Sequence, residues 1–364
     1  MVHITCLAEN DPDRIYEYCP SFAGAIIFTI VFGLATITHI FQTVQHRKPF
    51  CWVLIMAGIW ETAGYGIRTY NITDQAASGI YTAQFLLILL APLWINAFVY
   101  MILGRMIHFF LVKDRVFGLR ARRITLIFVL FDITAFIVQL TGGLMSSGTD
   151  VPVNQAKTGL RIYTGGVGLQ LAFIGVFCGI AVKFWQLLKA QSASERYGVI
   201  MEDLEHGSRP YNPEAAHEVK KINCTSRTAS QAAPLLVAVA VALGLIMVRN
   251  VYRLIEYGVG GVNGNVMTKH EWFQYVFDAV LMLAAVVVLA WEHPGKTLQG
   301  ERSDFSAEDK QRKQEKIAKK QEKKDLKTAK KAEKSGKYVQ VDASNNSTNE
   351  QLMGNDYAVH TGRQ

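Results

Sequence analysis

Long apolar runs dominate the chain from about Ser21 to Trp291. Each run is roughly 20 residues long, the length of a helix that crosses the hydrocarbon core of a membrane. We therefore predict an all-α, polytopic membrane protein, a bundle of seven transmembrane helices. The predicted spans are Phe22–Val44, Cys51–Thr69, Ile80–Gly104, Ile124–Met145, Leu160–Leu188, Ala232–Leu254 and Trp272–Trp291.

The polar stretches divide the chain around these runs. We predict an N-terminal segment at 1–21, a transmembrane domain at 22–295 and a Lys-rich, largely disordered tail at 296–364. The domain contains a long polar loop at 190–231, which we also expect to be largely disordered. Residues 309–337 of the tail are strong helix formers with dense lysine. Two roles stay open for this segment: attraction to anionic lipids of the cytosolic leaflet, or a solvated, charged tail.

Lysine and arginine are concentrated in alternate loops. The loops after the first, third and fifth spans are basic, from Arg47 and Lys48 onward, whereas the intervening loops are poor in both residue types. Short loops that are rich in lysine and arginine stay on the cytosolic side of the membrane. The prediction is therefore an N-terminus outside and a C-terminal tail in the cytosol. The first 20 residues lack the basic start and apolar centre of a signal peptide, so the first span would direct insertion.

The sequence AWEHPGKT, from Ala290 to Thr297, fits a relaxed phosphate-loop pattern. Such a loop binds phosphates because it joins a strand to a helix. Here it follows an apolar helix, and the tail beyond it has no strand pattern. Pro294 and Gly295 are better interpreted as a helix stop. We expect no ATPase or hydrolytic activity, no cofactor, no metal site and no nucleic-acid partner.

The predicted outside regions contain two modification candidates. Cys6 and Cys19 share the N-terminal segment, and a disulfide between them and two free thiols are equally open alternatives. Asn71-Ile-Thr is a glycosylation triplet in a predicted outside loop, very close to the membrane.

Ionisable and amide side chains inside the spans form the candidate site, because such groups are costly in a membrane unless they pair or serve a pathway. Glu61, Tyr65 and Arg68 follow one another at i, i+4 and i+7, so they share one helix face. A second such set lies in the sixth span. The candidate ligand-binding residues are Glu61, Tyr65, Arg68, Asp132, Gln139, Arg249, Arg253, Glu256, Glu271 and Asp278.

The predicted topology brings these charges together in the outer half of the bundle. Five carboxylates would then face three arginines. One interpretation is a buried ion-pair network that fixes the register of the helices. The other is a polar cavity open toward the outer leaflet, in which a surplus carboxylate binds a cationic group. Asp278 and Glu61 are the candidates for that surplus, because they lie furthest from solvent.

Several segments from Tyr16 to Gly295 resemble, in order, the fungal seven-span lipid-translocating exporters, a family named for resistance to aminocholesterol. They include WETAGYGIR, QFLLILLAPLWINAFVYMILGR, FDITAFIVQLTGG and RNVYRLIEYGVG. Tyr18-Cys-Pro-Ser21 matches the family's Tyr-x-Pro-Ser. The resemblance implies a protein, at the plasma membrane or an endomembrane, that protects fungal cells from toxic amphiphiles. One branch is associated with export of sphingoid long-chain bases, which are cationic amines on a long alkyl chain.

Two other functions are weighed against lipid export. A seven-span receptor of lipid or membrane stress is the main alternative, since Asp114-Arg115-Val116 is similar to a receptor motif. That tripeptide lies beyond the end of the span, however, and the seventh span lacks Asn-Pro-x-x-Tyr. A membrane hydrolase would need clustered His, Asp and Ser, but His39, His270 and His293 are predicted at separate places. The oligomeric state is left open.

Overall fold

The computed structural model describes most of the chain, and contacts divide it into two units, Met1–Ser303 and Asp304–Gln364. Within the described part, seven helices are long and apolar enough to cross a membrane. The chain is thus an all-α, seven-span membrane protein, as predicted. Every predicted span lies inside one of these helices. The described residues are 16, 18–75, 77–111, 114–146, 151–206, 229–258, 266–300, 303 and 305–334.

The first six spanning helices are regular apart from one short turn. A 3₁₀ turn, Pro49–Cys51, leads directly into the second helix. The bounds are α1 Phe22–His46, α2 Trp52–Thr73, α3 Ser78–Phe110, α4 Ala121–Ser146, α5 Val153–His206 and α6 Ala229–Gly258.

The seventh span, α7, changes its winding along its length. It begins as an α-helix at Glu271–Gln274, widens to a π-helix at Tyr275–Val280 and returns to an α-helix at Leu281–Trp291. π-Helical turns are rare and are frequently found at functional sites. A short helix, α8, follows at Pro294–Thr297.

Local chemistry explains where several of these elements begin and turn. The Ser21 side chain accepts a hydrogen bond from the Gly24 backbone N–H and so caps α1. A two-stranded antiparallel hairpin, β1 Arg115–Val116 and β2 Leu119–Arg120, joins α3 to α4. Its turn residues, Phe117 and Gly118, have φ angles of 50° and 76°. Two successive positive φ angles are the geometry of a tight hairpin turn.

The seven helices form a closed bundle in which α3 is the most buried helix. Consecutive helices pack against each other, α7 also packs against α1, and α3 contacts α2, α4 and α6. Ile95, Phe98 and Met106 of α3 are fully buried. The end of the bundle at which α1 begins is called the N-face below. The residues that reach it are Phe22, Thr73, Ser78, Ser146, Val153, Gly258 and Glu271.

Glycines bring the backbones of α4 and α5 into direct contact. A Cβ atom placed on Gly142 would lie 2.3 Å from the backbone nitrogen of Tyr163. A Cβ on Gly166 would lie 2.9 Å from the backbone nitrogen of Gln139, and one on Gly159 would lie 2.7 Å from the carbonyl oxygen of Gly142. Only glycine permits this approach, which is common where membrane helices pack tightly.

The structure corrects the prediction of disorder for part of the polar loop at 190–231. The prediction of a largely disordered loop at 190–231 is wrong for its first part, because α5 continues to His206. No proline lies between Pro152 and Pro210, so none interrupts α5. In the second unit, helix α9 occupies Ser306–Lys334, so this part of the tail is helical. Its two large apolar side chains, Ile317 and Leu326, are exposed.

The segment AWEHPGKT adopts a helix–turn–helix path. Ala290 and Trp291 end α7, and the His293 side chain caps α8 by accepting a hydrogen bond from the Gly295 backbone N–H at 3.1 Å. Gly295 packs against α1, where an added Cβ would lie 2.5 Å from the His46 Cβ. The strand that precedes a phosphate loop is replaced here by a helix.

Candidate functional site

A buried ion-pair network joins α6 to α7 around Asp278, which is 1% exposed and lies in the π-helical turn. One carboxylate oxygen of Asp278 pairs with Arg249 and the other with Arg253. Arg253 also pairs with Glu256 at 2.9 Å, and Glu256 accepts a hydrogen bond from the Tyr252 hydroxyl at 2.9 Å. The expectation that Asp278 is a surplus carboxylate is therefore wrong, because two arginines share it.

A second network lies at the N-face around Arg68. The Arg68 guanidinium pairs with Glu271 of α7 at 2.8 Å and donates a hydrogen bond to the Tyr18 hydroxyl at 2.9 Å. Glu271 accepts a further hydrogen bond from the Ser21 backbone N–H at 2.6 Å. Tyr18 donates to Gln274 Oε1 at 2.9 Å. These contacts hold the residues that precede α1 against α2 and α7.

Tyr16 connects the segment before α1 to α3 as well, a contact that was not predicted from the sequence. Its hydroxyl donates to Asn71 Oδ1 at 2.6 Å and accepts from Gln84 Nε2 at 2.7 Å. The Arg68 guanidinium lies 5.3 Å from the centre of the Tyr16 ring, within the range of a cation–π contact. Burial raises the pKa of Tyr16 to about 12 and also raises the pKa of Tyr18. Both hydroxyls therefore stay protonated at neutral pH. The two tyrosines of Tyr16-Glu-Tyr18, just before the first span, were the sequence feature that could have indicated these contacts.

The glycosylation prediction at Asn71 does not fit the fold. Asn71 is fully buried at the end of α2. Its side-chain oxygen accepts from Tyr16, and its side-chain nitrogen donates to the carbonyl oxygens of Asp74 and Ala77 at 3.1 and 3.2 Å. A glycan on this nitrogen would require an exposed side chain. Cys19 is disulfide-bonded, while Cys6 lies outside the described residues, so their pairing stays a prediction.

Glu61 is a buried carboxyl group with a different environment from Asp278. It is 1% exposed, and its Oε2 has no hydrogen-bond partner among the described residues. Asp278, Arg249 and Arg253 are close enough to act on it electrostatically, but it forms no ion pair with any residue that the structure describes. One turn further along α2, the Tyr65 ring stacks on Phe32 at 5.7 Å between centroids.

Asp132 lies apart from the arginines. Its Oδ2 accepts hydrogen bonds from Asn96 Nδ2 at 2.9 Å and from the Tyr100 hydroxyl at 3.0 Å, both on α3. The expectation that all five carboxylates converge is therefore wrong for Asp132, which instead joins α3 to α4. Gln139 likewise connects two helices, since its amide nitrogen donates to Gln170 Oε1 of α5 at 2.9 Å.

The histidines considered for a hydrolase site also stay apart. His39 of α1 contacts the backbone carbonyl of Val286 at 3.1 Å. His293 stacks on His46 at the end of the bundle opposite the N-face, with ring centroids 4.8 Å apart. His270 borders a cavity at the N-face. Their positions do not assemble a catalytic triad.

A cavity of about 180 Å³ lies at the N-face between the two ion-pair networks. Tyr16, Tyr81 and Tyr257 contribute aromatic rings to its wall, and Arg68, Arg253 and Glu256 contribute charge. Aromatic faces next to a carboxylate are a recurring environment for an ammonium group. Both arginines already have carboxylate partners, Glu271 for Arg68 and Asp278 for Arg253. The cavity thus combines cation-binding groups with two largely neutralised arginines.

Comparisons with known proteins agree with this architecture. The family model described as "RTA1 like protein" matches residues 54–301. "Probable lipid transporter atnI" of Emericella nidulans is 36% identical over 80% of this chain and 70% of its own length. "Protoporphyrin uptake protein 1" of Saccharomyces cerevisiae is 27% identical, over 76% of this chain and 90% of its own. "Sphingoid long-chain base transporter RSB1" of the same species is 23% identical, over 79% of this chain and 75% of its own. No solved structure matches the chain.

Proposed function

The chain belongs to the family of RTA1-like proteins, and from this premise we propose that it transports lipids across its membrane and so gives resistance to toxic amphiphiles. The substrate is a cationic amphiphile such as a sphingoid long-chain base. Two relatives support this, one named as a lipid transporter and one as a sphingoid long-chain base transporter. The names of these relatives do not favour the receptor alternative.

The observation that carries the choice of a cation is the carboxyl group of Glu61. The three arginines of the two networks have three carboxylate partners, Asp278, Glu256 and Glu271. Glu61 is an additional acid beside this balanced set, and one of its oxygens has no hydrogen-bond partner in the described part of the chain. A cationic headgroup that enters from the N-face cavity would supply the missing charge.

The distribution of basic residues supports an orientation with the N-face outside and the second unit in the cytosol. The kinship with lipid transporters fits a place at the plasma membrane. In that orientation the lysines of α9 face anionic lipids of the inner leaflet, to which each can add about 1 kcal/mol of attraction.

A leaflet assay with vesicles that contain only this protein tests the proposal. A labelled long-chain base is compared with its N-acetylated analogue, which has the same chain and no charge, and with a long-chain carboxylate. We expect the protein to accelerate movement of the amine far more than movement of the other two lipids. Equal acceleration of all three would contradict cation selectivity, and no acceleration of any lipid would contradict lipid transport itself.

A further inference from the structure

A second cavity lies directly beside the N-face cavity, and the two differ in chemistry. It has a volume of about 120 Å³ and lies where α3, α4 and α5 approach the N-face. No residue that lines it carries a charged side chain, whereas Arg68, Arg253 and Glu256 line the first cavity. Its leucines are Leu86, Leu140, Leu144 and Leu160. An amphiphile has the same division into a charged end and an apolar chain.

The two cavities share part of their walls. Tyr81, Phe85 and Tyr257 line both of them. Tyr16 packs edge-to-face against Tyr81 on the polar side, with centroids 5.2 Å apart. On the apolar side, Tyr163 packs edge-to-face against Tyr257 at 4.8 Å. A molecule that fills both spaces would therefore cross a belt of aromatic rings, which suits the junction between a headgroup and its chain.

The apolar cavity has features that indicate an occupant from the membrane. Leu144, which lines it, is 52% exposed on the outer surface of a transmembrane helix, so the cavity borders the region that lipid tails occupy. The hydroxyl of Tyr163 is buried and has no hydrogen-bond partner among the described residues. Buried hydroxyls nearly always have a partner. A polar atom of a bound lipid near the headgroup would provide one.

We propose that the two cavities form one binding site for a single-chain amphiphile. Before it moves on to Glu61, the cationic headgroup occupies the N-face cavity beside Glu256. The first carbons of the chain then pass the shared aromatic rings, and the chain enters the apolar cavity between α3, α4 and α5. This inference rests on the proposed lipid transport and adds where each part of the substrate lies. The second cavity is smaller than the 300–1,000 Å³ of a typical ligand site, which favours one chain over two.

A larger side chain at Gly143 would fill the apolar cavity, and Gly143 does not line the polar one. It lines the second cavity, and an added Cβ would meet Phe85 Cε1 at 3.8 Å and Tyr163 Cδ2 at 3.9 Å, which is ordinary van der Waals contact. Gly143→Ala therefore fits, and Gly143→Leu projects a larger side chain into the space. Gly165→Leu is the matched control, because Gly165 is exposed on α5 and has no heavy atom within 4 Å of an added Cβ.

The test titrates octadecylamine and propylamine against the full-length protein in nanodiscs. For the wild type we expect octadecylamine to bind more tightly. Gly143→Leu should weaken octadecylamine binding about tenfold, the effect of excluding about two methylene groups, and leave propylamine binding unchanged, because so short a chain does not reach the apolar cavity. Gly143→Ala should show a smaller loss of the same kind, which also keeps the test decisive where the leucine variant fails to fold. Gly165→Leu should match the wild type.

The outcomes separate this inference from the proposed function. If both Gly143 variants bind octadecylamine like Gly165→Leu, the apolar cavity does not hold the chain, although lipid transport stands. If Gly143→Leu weakens both amines equally, the cavity affects the headgroup rather than the chain, and the two-part site is wrong. If the wild-type protein binds neither amine, the proposed class of substrate itself fails.

Discussion

At the scale of single residues, Glu61 and Asp278 show how two buried carboxyl groups in one bundle differ. Asp278 is shared by Arg249 and Arg253, so it neutralises two cations and connects α7 to α6. Glu61 has an oxygen without a partner in the described part of the protein. Replacing each acid by its amide removes a charge and keeps the shape, so the two substitutions separate a structural role from a ligand-binding one.

We predict that Asp278→Asn destabilises the protein by about 3–5 kcal/mol, because it leaves two arginine charges buried with too little compensation. The thermal unfolding midpoint of purified protein and its abundance in the membrane measure this effect. Asp74→Asn is the control, since Asp74 is exposed beyond the end of α2. Equal unfolding midpoints for the two variants would show that the network does not stabilise the fold.

We predict that Glu61→Gln folds normally but moves a long-chain amine at least about tenfold more slowly, as expected when one charge-assisted contact is lost. Transport of the N-acetylated analogue should change little, because that lipid has no charge to pair. The leaflet assay measures both rates, and the unfolding midpoint checks the fold. Normal transport of the amine by this variant would remove the support for a cation site at Glu61.

The sequence was informative about which residues are unusual and uninformative about how they pair. Glu61 and Arg253 stand out because a charge inside an apolar run is conspicuous. The partners are set by the three-dimensional fold: Arg253 and Asp278 are 25 residues apart, and Gln84 and Tyr16 are 68 residues apart. The period of a helix relates neighbours at three or four positions and cannot specify such pairs.

At the scale of helices, α4 and α5 are distinguished by the contact of their backbones. We predict that Gly142→Ala costs at least about 1–3 kcal/mol, because the new methyl group would overlap the backbone of Tyr163 and force the helices apart. Gly165→Ala is the matched change on the open side of α5, and it should be neutral or stabilise the helix by up to about 1 kcal/mol. Thermal unfolding followed by circular dichroism compares the two. A Gly142 variant as stable as the Gly165 variant would contradict the close contact.

The existence of each spanning helix was predictable, since the length of an apolar run determines it. Helix ends were less predictable because polar residues continue a helix as readily as they end it, as α5 does up to His206. The π-helical turn at Tyr275–Val280 leaves no pattern in the sequence. Its extra residue per turn is stabilised by packing and by the ion pairs of Asp278, which only the assembled bundle provides.

At the scale of the whole molecule, the alternation of basic loops predicts the orientation in the membrane. We predict that a tag fused after Gln364 is protected from protease added to intact cells, because the basic loops and the Lys-rich second unit stay in the cytosol. A tag before Met1 serves as the opposite control and should be digested. Digestion of the C-terminal tag in sealed cells, with the N-terminal tag protected, would show the opposite orientation, with the cavity on the cytosolic side.

The glycine contacts between α4 and α5 have a mechanical consequence. No layer of side chains separates the two backbones at Gly142, Gly159 and Gly166, so neither helix can slide or rotate against the other without a steric collision. We therefore expect α4 and α5 to move together as one rigid body. Motion that exposes the cavity first to one leaflet and then to the other must occur at seams where side chains meet. The interface between α6 and α7 is where we expect such motion, because side-chain ion pairs rather than backbone contacts hold it together.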